Sequence, residues 1–134
     1  MLRILVTLAA LAYCCSPAFS ATLNSFRHAH GLPALQRSGT LQAMAHRHAQ
    51  SMAMRGAIDH SGFYTERGRA GARAENVAAG CASESCAIAL WAGSPGHREN
   101  MLLPDVRKYG LASPGITGVW SSADSANWFK LVRE

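Results

Sequence analysis

The sequence predicts an α+β fold, and three observations carry that prediction. Apolar residues at helical spacing recur in several segments between about Thr22 and Pro104. Beyond Pro104 the texture changes to aromatic and β-branched residues separated by Gly, Pro, Ser and Asp, which is strand-and-turn composition. The two textures follow one another without alternating, which argues against a parallel, doubly wound sheet.

The first twenty residues are read as lying outside this fold. Met1-Leu2-Arg3 gives a positive start, Ile4 to Tyr13 is an unbroken apolar run, and Ala18 and Ser20 offer the small residues a signal peptidase needs. The run is too short to span a bilayer, so the expectation is a secretory signal over 1–20 and a single domain over 21–134. The product is then secreted, to the periplasm or the extracellular space. The leader takes Cys14 and Cys15 with it and leaves Cys81 and Cys86, in CASESC, as the only cysteines. In an exported protein such a close pair is expected to form a local disulfide, and the gap is not that of a redox dithiol or a zinc knuckle.

Each element has its own signal. Thr22 to Gly31 reads as a first helix. Ser38 caps a second, on which Leu41, Met44, Ala45, His48, Ala49 and Met52 keep helical spacing until Gly56. The stretch from Ile58 to Ala74 is loop-like, with one helical turn near Thr65 to Arg69. Ala74 to Gly80, AENVAAG, is small and apolar enough to be buried. Ser83 or Glu84 opens a third helix carrying Ala87, Leu90 and Trp91 on one face. Ser94 and Pro95 open a short fourth. KYGLAS, GITGVWSS and NWFKLVRE read as two or three antiparallel strands.

The formal charge of +5 is mild, and its arginines are scattered. The densest patch, Arg67 to Arg73, lacks interleaved aromatics and reads as a solvated loop, not a nucleic-acid groove. No nucleic-acid partner is expected, and no membrane span after signal cleavage.

Chemistry must then come from the six histidines. His28 and His30 stand two apart and face different ways. His46 falls on the exposed side of the long helix, and His48 falls on its apolar stripe, where a packed core histidine is expected. His60 and His97 stand at element boundaries, where side chains converge on clefts. His97 occupies the third position of its helix, where the helix dipole disfavours a charged ring and keeps the imidazole neutral. Taken alone, His97 still reads as a structural residue of that first turn. There is no HExxH and no GxSxG, and Ser94 is better explained as a cap than as a nucleophile.

Taken in order, GLPALQRSGTLQAMAHRHAQSMAMRGAIDH, AENVAAG, the Trp91–SPGHRENML stretch and YGLA resemble the CAP superfamily, also called SCP-like. This grouping contains the cysteine-rich secretory, antigen-5 and plant pathogenesis-related class 1 proteins, and the match is to its small bacterial secreted members. The resemblance implies a three-layer α-β-α sandwich around a central antiparallel sheet. It also implies an open cleft with two histidines and two acids. Carried over by position, the histidines are His60 and His97 and the first acid is Glu75, with Asn76 beside it. The second acid should lie three residues after the helix tryptophan, and Ser94 stands there instead. Glu84 and Glu99 are the remaining candidates for its place.

Two functions follow from the resemblance. In the first, the cleft binds an extracellular or cell-envelope ligand such as a lipid or sterol, with zinc or another divalent cation held on His60 and His97. No defined catalytic activity is expected of such a module. In the second, a metal-dependent hydrolase or peptidase uses zinc on the same histidines, with Glu75 as general base. With one acid missing, the first is preferred.

Overall fold

The computed structural model describes residues 21–113, together with the backbone of residues 128–133. The expected leader and the strand expected over GITGVWSS lie outside the described residues. Within them the element order is α1 (Leu23–Ala29), β1 (Gln36–Arg37), α2 (Gly39–Arg55), a π turn (Phe63–Arg67), β2 (Ala74–Ala78), α3 (Glu84–Gly93), α4 (Pro95–Met101), β3 (Lys108–Ala112) and β4 (Trp128–Arg133). The fold is α+β, as predicted. No described helix is long and apolar enough to cross a membrane.

The helix boundaries follow the local chemistry read from the sequence. Thr22 caps α1 through a reciprocal box with Ser25. Ser38 accepts from the Leu41 amide at the start of α2, and Gly56 ends that helix at a positive φ of 58°. Ser83 caps α3 by accepting from Cys86. Ser94 is the N-cap of α4 by backbone conformation and Pro95 takes the first position, but the Ser94 hydroxyl makes no capping hydrogen bond.

The sheet runs β1-β3-β4-β2. β3 pairs antiparallel with β4, and β4 pairs antiparallel with β2. β1 adds two residues in parallel beside β3, a pairing absent from the sequence reading because two polar residues give no strand signal. AENVAAG, expected only to be buried, supplies β2, and every residue of that strand is buried.

Pleating divides the core in two. Ala74 and Ala78 of β2, with Tyr109 and Leu111 of β3, pack with Leu23, Ile88, Trp91 and Met101. Val77 and Ala112 instead join Leu41, Met44, Ala49 and Met52 of α2. Alternate residues of each strand therefore serve opposite faces, as a period of two requires. Trp91 also donates from Nε1 to the Val77 carbonyl at 3.0 Å, which ties α3 to β2. Arg27, wholly buried, donates to the carbonyls of Pro33, Met101 and Leu103 and fastens the end of α4 to α1. Cys81 and Cys86 form the expected disulfide between β2 and α3, with Cα atoms 5.4 Å apart.

Candidate functional site

The site is built around β2, which is the terminal strand in the sheet order. Glu75 shares its face with Val77 and so points to the α2 side. Asn76 shares its face with Ala74 and Ala78, on the side of α3 and α4. One Glu-Asn pair thus addresses both faces at once, and the site straddles the edge of the sheet.

On the α2 side, the Glu75 carboxylate is buried and fully engaged. Its Oε1 accepts from His60 Nδ1 at 2.8 Å, while Arg67 donates from Nε to Oε2 at 2.6 Å and from Nη2 to Oε1 at 3.0 Å. A bidentate guanidinium is the strongest partner a buried carboxylate can have, and without it the ionised form would be costly. An ionised carboxylate can only accept, so His60 Nδ1 is the donor in this contact, and Nε2 takes no part in it. His60 is half exposed, with 51% of its side chain accessible against 2% for Glu75.

The backbone that carries His60 is fixed from below. His48, buried on α2 as the sequence predicts, bonds through Nε2 to the Asp59 carbonyl at 2.9 Å. The Asp59 carboxylate takes a two-pronged contact from Arg55 and accepts the Ser61 amide. Arg55, and then that amide, hold the Asp59 carboxyl well below the usual carboxylate range. The residues on either side of His60 are therefore pinned before any ligand arrives.

On the other side, Asn76 donates from Nδ2 to the His97 carbonyl at 2.8 Å and accepts from Asn100 Nδ2 at 2.9 Å. This amide relay sets the first turn of α4. Burial, and secondarily the charge of nearby His60, hold His97 below its ordinary imidazole value. A lowered value favours the unprotonated His97 ring.

The structure also separates residues the sequence grouped together. Glu84 does not replace the missing acid, because it pairs with Arg37 and accepts the Leu23 amide at the start of α1. Glu99 is exposed on α4, and the Ser94 hydroxyl makes no capping hydrogen bond. The Arg67–Arg73 patch is not uniformly solvated: Arg69 and Arg73 are exposed, but Arg67 is buried against Glu75. Sequence reasoning missed Arg67 and Asn100. A glutamate inside AENVAAG does call for a buried cation, but the spacing could not choose among Arg67, Arg69 and Arg73.

This donor set suits a metal only in part. Two imidazoles with a carboxylate behind one of them make an open pair, with the other coordination positions left to water or ligand. No group of three or more His, Cys, Asp or Glu side chains suited to a metal occurs among the described residues. The set falls short of the three protein ligands usual for catalytic zinc.

Comparisons with known proteins agree with this architecture. The family model described as CAP, the cysteine-rich secretory protein family, matches residues 21–121. Among solved structures, an outer surface protein of Borrelia burgdorferi superposes with a TM-score of 0.68 at 19% identity, covering 84% of this chain and 86% of that one. An extracellular SCP-domain protein of Bacillus anthracis gives 0.63 at 25% identity, with 84% of this chain covered and 38% of that one. A cysteine-rich secretory protein of Staphylococcus aureus gives 0.58 at 17% identity, with coverage of 84% and 36%. The chain thus spans well under half the length of the Bacillus and Staphylococcus chains. No curated protein sequence matches it.

Proposed function

Since the chain belongs to the CAP, or cysteine-rich secretory protein, family, we propose that it is a secreted binding module. Its cleft at His60, Glu75 and His97 takes an extracellular or cell-envelope ligand of the lipid or sterol class. The extracellular and outer-surface descriptions of the similar bacterial proteins support export, as does the leader that the sequence suggests over residues 1–20.

The observation that carries this reading is the state of Glu75. Both of its oxygens are committed, one to His60 and both to Arg67. A carboxylate locked to a buried guanidinium is a poor general base, because taking a proton would weaken the ion pair that holds it. The hydrolase reading needs Glu75 in that role, so binding is favoured over turnover. What the chain does offer is two imidazoles near the sheet edge: Glu75 orients the His60 ring, and Asn76, held by Asn100, fixes the His97 backbone through its carbonyl. When a divalent cation such as zinc is bound, it supplies a Lewis-acidic anchor for an oxygen of the ligand. His60 through Nε2 and His97 are the residues that would hold it.

Titration of the purified mature protein with zinc tests the metal part. Replacing either histidine by alanine should weaken zinc binding by at least about tenfold, since a two-ligand site has no redundancy. Equal zinc affinity in wild type, His60→Ala and His97→Ala would overturn it. Capture on sterol or fatty-acid resin tests the ligand class, and steady turnover of peptide or ester substrates would restore the hydrolase.

A further inference from the structure

Beside this site lies a cavity of about 470 Å3 that His60, Glu75 and His97 do not line. One wall is a stripe of α2, where Arg47, Ser51 and Arg55 follow at four-residue spacing and share a helix face. Another wall comes from the π turn and the loop before it, through Ser61, Gly62 and Glu66. His48 and Arg67 stand between the cavity and the Glu75 site, because both line the one and contact the other.

The charges around the cavity are unequal. Arg55 is engaged by Asp59 and Arg67 by Glu75, and neither of those acids lines the cavity. Arg47 makes no ion pair among the described residues. Among the described residues, Glu66 is the one carboxylate in the lining. It sits against Gly62, where an added methyl would come within 3.3 Å of both the Glu66 carboxylate and Arg67 Nη1. The remaining polar lining among the described residues is the buried His48 and two hydroxyls: Ser61, and Ser51, whose Oγ already accepts from Arg55 Nε at 3.3 Å.

We propose that this cavity binds a hydroxyl-bearing phosphate, such as a phosphate ester of glycerol or of a sugar. The Arg47 fork matches phosphate oxygens, and Arg55 on the same stripe adds field without leaving Asp59. Ser51 and Ser61 donate to the phosphate, and Glu66 accepts a hydroxyl from the polyol part. Glu66 therefore disfavours bare phosphate and selects the ester. The volume lies within the range of small-molecule sites. The same chemistry is found in a free metabolite and in a phospholipid headgroup.

Calorimetric titration of the purified mature protein with glycerol 3-phosphate tests this site. Saturable binding is expected, weakened about tenfold or more in Arg47→Gln. Glu66→Gln should tighten the binding of inorganic phosphate relative to wild type. Arg47 is exposed, so its replacement leaves the fold intact, which circular dichroism checks. It should also leave zinc binding unchanged, so failure here is distinguishable from failure of the His60–His97 reading. The proposal is overturned by absence of saturable binding in wild type, by wild-type affinity in Arg47→Gln, or by a Glu66→Gln variant that binds phosphate no more tightly. Sedimentation with phosphatidylglycerol vesicles, against phosphatidylcholine, then assigns the source: vesicle binding that Arg47→Gln abolishes means a headgroup, and its absence means a free ester.

Discussion

Glu75 sets the conditions for its neighbours, and Arg67 sets the conditions for Glu75. The ion pair is buried on both sides, with 7% and 2% of the two side chains accessible. Removing one partner of such a pair leaves an uncompensated buried charge, which costs more than the pair itself contributes. Arg67→Gln should therefore lower stability by about 3–5 kcal/mol in urea unfolding. The double variant Arg67→Gln/Glu75→Gln should recover most of that loss, because it removes both charges. A double variant as unstable as the single would show that Arg67 contributes through packing alone. His48 belongs to the same scale: an apolar-stripe histidine whose ring holds the Asp59 carbonyl and so shapes the loop that presents His60.

At the scale of elements, α2 and β3 come closer than side chains would allow. A Cβ at Gly110 would collide with the backbone of α2 at Leu41 and Gln42, so glycine is required there for space. Beside that contact, the Gln42 side chain completes the sheet margin. Its Oε1 accepts the Leu111 amide at 3.1 Å and its Nε2 donates to the Leu111 carbonyl at 2.5 Å. The helix thus stands in for a strand where β1 ends. Gly110→Ala should destabilise by about 2 kcal/mol or more, since the clash is with main chain that cannot rotate away. Thermal unfolding measures this, and a change within about 0.5 kcal/mol, the range of neutral surface substitutions, would refute the close approach.

For the whole molecule, the main question is what holds two separate cores to one small sheet. The Cys81–Cys86 bridge closes a short loop, with a sequence separation of 5, between β2 and α3. Short loops lose little entropy on closure, so the bridge should contribute about 2 kcal/mol. A Cys81→Ala/Cys86→Ala variant should remain folded at room temperature and melt roughly 5–10 °C lower. Complete unfolding on reduction would mean instead that the hydrophobic clusters cannot sustain the fold alone. The wild-type protein with and without reductant provides the same comparison without mutation.

Helices α1 to α4, the caps at Ser38 and Ser83, the disulfide and the α+β class were legible in the residues, because caps, glycine stops and apolar spacing are local signals. The resemblance added the places of His60, Glu75 and His97. It also offered Glu84 and Glu99 for the second acid; Glu84 is engaged by Arg37 and the Leu23 amide, and Glu99 is exposed on α4. Three things only the tertiary structure decided. It made Arg67 the buried counter-ion from among three nearby arginines. It placed β2 at the end of the sheet, so that Glu75 and Asn76 serve opposite faces. It set one stripe of α2 beside the π turn, so that Arg47, Arg55 and Glu66 line one cavity. The physical reason is shared by all three: a chain signals locally what each segment prefers, whereas counter-ions, edges and cavities arise between segments far apart in sequence.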